Sequence, residues 1–253
     1  MSVTRIQLLT FLNNLLKPDN IKDYCPNGLQ VEGKQTISKL VTGVTASQAL
    51  IDHAVSINAD AILVHHGYFW KGEDPCITGM KKKRFAALLT NDINLFAYHL
   101  PIDIHSELGN NAQLAKLLDI VDVMPLEENN PNCVVMRGRF ADGIKPEELT
   151  DKIFQQLGRA PLHEPALKKQ INTIAWCSGG GQNYIQQAAE LGIDAYLTGE
   201  VSEQTIHTAR EMNIHFYAAG HHATERYGAK AVGEHIQNEL GIESVFVDIP
   251  NPA

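Results

Sequence analysis

Short apolar runs that end in glycine or histidine alternate with stretches of helical periodicity, and this alternation, which occurs twice, constrains the chain more than any other feature. Residues 38–46, SKLVTGVTA, read as a strand leaving through glycine into a loop, and SQALIDHAVSIN then places apolar residues at helical spacing. ADAILVHHG follows as a buried strand, then a helix near KKRFAALLTND, a strand INLFAYHL and a helix beginning near GNNAQLAKLL. Strand, helix, strand in that order predicts βαβ units and a mainly parallel sheet.

The same order returns downstream in TIAWCSGGG, QNYIQQAAELG, IDAYLTGE, a helix near EQTIHTAREM, the strand IHFYAAGHH and a helix near YGAKAVGEHI. Laid over each other without gaps, SQALIDHAVSINADAILVHHG and GQNYIQQAAELGIDAYLTGEV match Gln48 to Gln182, Asp60 to Asp194 and Ala61 to Ala195. A second register lays INLFAYHLPIDI over IHFYAAGHHATE. Any two βαβ units share a general pattern; five elements in matched order favour an internal duplication. The expected fold is therefore α/β, with two related halves, residues 1–125 and 126–253, and a metal site between them. The second half opens with a small α+β insertion at about 126–170, where turn residues, a Val-rich run and a short helical pattern follow one another.

A chain of 253 residues can bury a substantial core as one large or two ordinary domains. Its formal charge of -8 argues against a broad phosphate-backbone footprint, which needs clustered Lys and Arg, and favours a small-molecule partner. Lys81, Lys82, Lys83 and Arg84 form the one basic cluster, read first as a solvated helix start and second as a contact for an anionic substrate. The opening MSVTRIQLLTFLNNLLKPDN reads as an amphipathic helix, not a signal peptide, and no run is long and apolar enough to span a bilayer. Cys25, Cys76, Cys133 and Cys177 are far apart without a CxxC pair, so a reducing cytoplasm is expected.

His65 and His66 close the strand AILV at its carboxyl end, the edge where open α/β sheets bind ligands. Adjacent strand residues point to opposite faces, so one of the two is structural unless the strand ends there. INLFAYHL runs into PIDIH and supplies His99, Asp103 and His105; the matching strand runs into AAGHHATER and supplies His221, His222 and Glu225. Three clusters of His and carboxylate at three strand ends point to metal binding. Without thiolates these donors suit Zn, Mn, Fe or Ni. If Asp103 and Glu225 each bridged two ions, they and three histidines would give about seven bonds of the roughly eight that two four-coordinate ions need. One shared place would remain for water.

The chain resembles the GTP cyclohydrolase I type 2 homologs, the Nif-three-like proteins, through DYCPNGLQVEG, VTGVTASQALID, ADAILVHHGYFWKG, YHLPIDIHSELGNN, LTGEVSEQTIHTARE and AAGHHATERYG, closest to the short bacterial members. That resemblance implies His65, His66, Asp103, His221 and Glu225 as ligands of two divalent ions, and a homohexameric ring. His99, His105 and His222 then become supporting or structural residues. Glu200 stands at the repeat position of His66 and is a candidate for proton transfer or for an outer contact; His99 and Glu200 are the candidate catalytic groups. SGGGQNY lacks the marks of a phosphate-binding loop and reads as a tight turn before an anion cradle. Tyr68, Phe69 and Trp70 fit either a stack for a flat base or core packing.

The resemblance implies a dimetal hydrolase acting on a nucleotide or related anionic small molecule, named for opening the purine imidazole ring of GTP with release of formate. Two other readings are a metal-delivery or regulatory ring without turnover, and a two-metal phosphoesterase.

Overall fold

Val41, Ile62, Val64, Leu95 and Ala97 are buried in one apolar cluster, and their chain neighbours Leu40, Ala61, Leu63 and Phe96 in another. This is what alternation along a strand gives when both faces of a sheet are covered. The sheet, in a computed structural model that describes residues 1–253, runs in the order Glu243–Phe246, Lys39–Thr45, Ala61–His66, Asn94–Ala97, Gly28–Val31. Its first four strands are parallel and the last is antiparallel. Leu50, Ile51 and Ala54 of the helix Gln48–Ser56 and Phe85 and Leu88 of Gly79–Thr90 cover one face. Leu8, Leu12 and Leu16 of Arg5–Leu16 cover the other, with Val232 and Ile236. Each buried Leu, Ile, Val or Phe among them contributes about 1.5–3 kcal/mol. The amphipathic opening helix is present, held at its start by Thr4, whose Oγ1 accepts from the Gln7 N–H at 3.1 Å.

These strands and helices make a unit of residues 1–109 and 226–250; residues 110–225 and 251–253 make a second. The linear division expected near 125 and these units part the chain differently, because Glu243–Phe246 pairs with Lys39–Thr45 and so returns the C-terminal strand to the first unit.

The second unit has a six-stranded sheet, in the order Val121–Pro125, Met136–Ile144, Ile171–Cys177, Ala195–Thr198, His215–Ala218, Leu162–Glu164. Its three central strands are parallel, and the remaining pairs are antiparallel. The expectation of mainly parallel sheets therefore holds in the first unit and is corrected to a mixed sheet here. The α+β segment supplies Met136–Ile144 and Leu162–Glu164, one to each side of the parallel centre, joined through the helix Pro146–Leu157. Ala175, Cys177, Tyr196 and Phe216 pack with Ile185, Ala188 and Ala209 on one face. Trp176, Leu197 and Tyr217, alternating with them, are fully buried, and Trp176 Nε1 and the Tyr217 hydroxyl donate to the carbonyls of Asn111 and Pro146 at 3.0 Å each.

The strand registers correspond. Leu40 pairs with Ala61 as Ile174 pairs with Ala195. Asp60 accepts from Lys34 Nζ at 2.8 Å and from the backbone N–H groups of Ser38 and Lys39 at 2.9 and 3.1 Å. Asp194 accepts from Lys168 Nζ at 2.5 Å and from the N–H groups of Asn172 and Thr173 at 2.9 and 3.0 Å.

Candidate metal centre

The strand Ala61–His66 ends at its two histidines, and Gly67 follows it. A Cβ on Gly67 would lie 2.3 Å from Gln30 Oε1 and 2.5 Å from the Ala97 Cβ, so only glycine fits where the chain leaves the strand. Because the strand stops there, the two rings do not diverge: their centroids are 4.4 Å apart, with His65 fully buried and His66 partly so. His99 stands at the start of the short helix Leu100–Ile104, which places Asp103 about one turn later. Ligand atoms of His65, His66 and His99 lie within 4.8 Å of one another, and His65 Nε2 is 3.6 Å from Asp103 Oδ1.

His221 and Glu225, both in the second unit, open the helix His221–Leu240 at the spacing that stacks side chains on one helix face. His221 Nε2 lies 3.1 Å from Glu225 Oε2, and His221 Nδ1 lies 2.7 Å from Glu200 Oε1. The hydrogen bond to Glu225 comes first in raising the His221 pKa to about 9; burial opposes it and Glu200 adds to it. Glu200 also accepts from Gln182 Nε2 at 3.2 Å.

The donor chemistry fits divalent ions. A ligating imidazole is normally anchored through its other nitrogen, which fixes tautomer and aim. His65 Nδ1 is 3.3 Å from the Tyr98 carbonyl oxygen, His66 Nδ1 is 3.2 Å from Thr45 Oγ1, and His221 Nδ1 faces Glu200. A carbonyl only accepts, so Nδ1 of His65 carries the proton and its Nε2 presents a lone pair, whereas His221, held between the Glu200 and Glu225 carboxylates, carries a proton on each nitrogen and would give up the one on Nε2 to an ion.

Glu200 thus stands as an outer contact of His221. His99 adjoins His65 and His66 with ring centroids 5.0 and 5.8 Å away. His105 Nδ1 accepts from the backbone N–H groups of Glu107 and Leu108, a turn-forming role, and burial comes first in lowering its pKa. His222 is buried and its backbone N–H donates to the Ala253 carbonyl at 3.2 Å. Lys82 and Lys83 are exposed at the start of Gly79–Thr90, while Lys81 is tied to Glu73 at 3.1 Å and the Asp74 carbonyl at 2.9 Å.

The glycine-rich segment is a tight turn: the N–H groups of Ser178, Gly179 and Gly181 donate to Asn111 Oδ1, Thr224 Oγ1 and Thr198 Oγ1. A Cβ on Gly179 would lie 2.0 Å from Glu225 Oε1, a closeness that no local sequence pattern signals. Asp23 and Asn27, which hold His99, were likewise missed, although both lie in the conspicuous DYCPNG segment. Of the three aromatics after the histidine pair, Tyr68 is core, its hydroxyl donating to the Ala46 carbonyl at 2.8 Å, whereas Trp70 stands 4.8 Å from His99.

Fold and donors define a class: an α/β protein whose imidazoles and carboxylates gather where parallel strands end. The model of the Duf34/NIF3 (NGG1p interacting factor 3) family matches residues 3–252, and the chain belongs to that family. It is 57% identical over 255 residues to a Haemophilus influenzae protein named GTP cyclohydrolase 1 type 2 homolog, covering 99% of this chain and all of that one. A Pseudomonas aeruginosa protein of the same name is 53% identical over the full length of both. Among solved structures, a Thermus thermophilus protein superposes with a TM-score of 0.90 at 32% identity, covering 99% of this chain and 100% of that one.

Proposed function

We propose that His65, His66, Asp103, His221 and Glu225 together hold two divalent metal ions, drawn from Zn, Fe, Mn and Ni, and that the centre hydrolyses a nucleotide or related anionic small molecule. One observation carries this: each unit supplies an anchored imidazole whose Nε2 faces a buried carboxylate oxygen, His65 with Asp103 at 3.6 Å and His221 with Glu225 at 3.1 Å. Two ions bound there would supply Lewis acidity and lower the pKa of water enough to make it a nucleophile near neutral pH. The chain's own residues anchor and aim the donors: Tyr98 O sets His65, Thr45 sets His66, and Glu200 sets His221. The relatives' name makes GTP the first substrate to test, with His99 and Glu200 as candidate catalytic residues and a homohexamer as the expected assembly. The matched registers and the matched settings of Asp60 and Asp194 support an origin of the two units by duplication.

A second reading is metal handling without turnover. It is favoured by the use of Lys81 on Glu73 and of Glu200 on His221, which removes two of the groups that would otherwise clamp a substrate or move a proton. The deciding experiment is metal content per chain on protein purified without added metal, then GTP turnover with product identification. About two ions with formate and a ring-opened or pterin product support the cyclohydrolase; phosphate release supports a phosphoesterase. Two ions with no product on any nucleotide favour metal handling. Metal content unchanged in both His65→Ala and Glu225→Ala sinks the ligand assignment.

A further inference from the structure

Asp23 is a carboxylate surrounded by donors and almost removed from solvent, its side chain 3% exposed. It accepts from the backbone N–H groups of Tyr24 at 2.6 Å and Leu100 at 2.9 Å, and from Asn27 Nδ2 at 3.0 Å. It meets His99 Nδ1 at 2.7 Å, and Asn27 Oδ1 accepts the His99 backbone N–H at 2.7 Å. This grip fixes one tautomer, with the proton on Nδ1 and the lone pair on Nε2. His99 is therefore set to accept a hydrogen bond from something beside the metal donors.

What stands around the ring is aromatic. Trp70, partly exposed, lies 4.8 Å from His99 at 80° and 5.9 Å from His66, and Tyr24, 62% exposed, lies 6.3 Å from His99. The indole is not loose: its Nε1–H donates to the Gly67 carbonyl at 3.2 Å, and the Lys71 N–H donates to the Tyr24 carbonyl at 2.8 Å, joining the two segments. Phe69, just before it, has a φ of 65°, a left-handed conformation that a bulky residue holds only when its surroundings impose it. Core packing does not explain a left-handed Phe69 that leaves the next residue's indole partly exposed, beside the exposed phenol of Tyr24.

We propose that Trp70, Tyr24 and the Asp23-held His99 form the seat for the flat ring of the substrate, a purine-like heteroaromatic that stacks on the indole and donates an N–H to His99 Nε2. The chemistry selects the ring over a phosphate tail. An anionic oxygen has no proton to give an accepting nitrogen, whereas a guanine-type edge carries N–H donors, and every such base has a face to stack. The inference rests on the nucleotide reading of the adjoining centre but lies wholly within the first unit, so each can fail alone.

The test uses fluorescence. Trp70 is one of two tryptophans, and the other, Trp176, is fully buried in the second unit. With excitation at the red edge of tryptophan absorption, guanosine and GTP are expected to quench the metal-loaded protein saturably, and tripolyphosphate to leave it unchanged. Trp70→Leu removes the quench and weakens guanosine binding in equilibrium dialysis at least about fivefold, while Trp70→Phe keeps the binding. Asp23→Asn offers one acceptor where the carboxylate offered two, so the His99 tautomer is no longer held and guanosine binding weakens. Metal content stays at the parent level in all three. Equal guanosine binding by parent and Trp70→Leu, or a quench by tripolyphosphate equal to that by GTP, overturns the proposal. Guanosine binding that survives where no metal is found overturns the metal reading and leaves this one standing.

Discussion

Asp60 and Asp194 accept hydrogen bonds from corresponding donors: Lys34, Ser38 and Lys39 for one, Lys168, Asn172 and Thr173 for the other. Each carboxylate, just ahead of its own strand, ties that strand's start to the start of the preceding parallel strand, and so fixes the register on which everything at the strands' far ends depends.

These two carboxylates therefore set an acid limit on stability. Burial alone would raise their pKa values, but the Lys and backbone donors outweigh it and hold both below the ordinary 3.8. A depressed folded-state pKa gives stability that is complete above the unfolded value and is lost as pH falls through the folded one. Asp60→Asn and Asp194→Asn are each expected to cost about 1–3 kcal/mol at neutral pH and to flatten the fall in urea midpoint below pH about 4. Parallel acid limbs for parent and variants would show that other groups set the limit.

The sequence made the strands legible because both faces of each sheet are covered and the apolar runs are unbroken, as in AILV. Asp60 and Asp194 stood out for the same reason, as charges in matching places. The C-terminal strand ESVF was not assigned to the first sheet, since pairing with Lys39–Thr45 is a contact across two hundred residues that no local pattern records. The proposed donors were legible as candidates because histidines recur at strand ends. Their anchors were not: Tyr98 acts through a backbone carbonyl, and Asp23 reaches His99 from a loop 76 residues away.

Glu200 offers a way to separate aiming from binding. Its carboxylate holds His221 Nδ1 at 2.7 Å and is not among the proposed ligands. Glu200→Gln keeps the shape and an accepting oxygen but removes the charge. It is expected to lower metal affinity about 10–100-fold, measured by competition with a chromogenic chelator, while thermal stability of the metal-free protein stays close to that of the parent. An unchanged affinity would remove Glu200 from the centre.

Thiol reactivity checks the packing independently. Cys76 is exposed, and Cys25, Cys133 and Cys177 are buried. Burial comes first, with the nearby Asp23 charge, in pushing the Cys25 thiol up to about 12, so it offers little thiolate near neutrality. A disulfide reagent at pH 8 should modify one thiol per folded chain quickly and the other three only on unfolding. Cys76→Ser should abolish the fast phase; a second fast thiol would place one of the buried cysteines wrongly.

Gly179 carries the sharpest prediction about how the second unit shapes the centre. It sits at φ 61°, and an added Cβ would lie 2.0 Å from Glu225 Oε1, 3.0 Å from its carboxyl carbon and 3.1 Å from His221 Nε2. Gly192 is also left-handed, at φ 74°, with nothing within 4 Å of where a Cβ would stand. Gly192→Ala therefore measures backbone strain alone, about 1–2 kcal/mol. Gly179→Ala adds displacement of Glu225, and because that side chain is 96% buried on a helix it has little room to yield. The expected outcome is a larger loss of stability than in Gly192→Ala, together with a fall in bound metal that Gly192→Ala does not show. Calorimetry and metal analysis on the two purified variants read both effects. Equal metal content in the two would mean that Glu225 can move aside without loss, and that the glycine is there for the turn rather than for the ion.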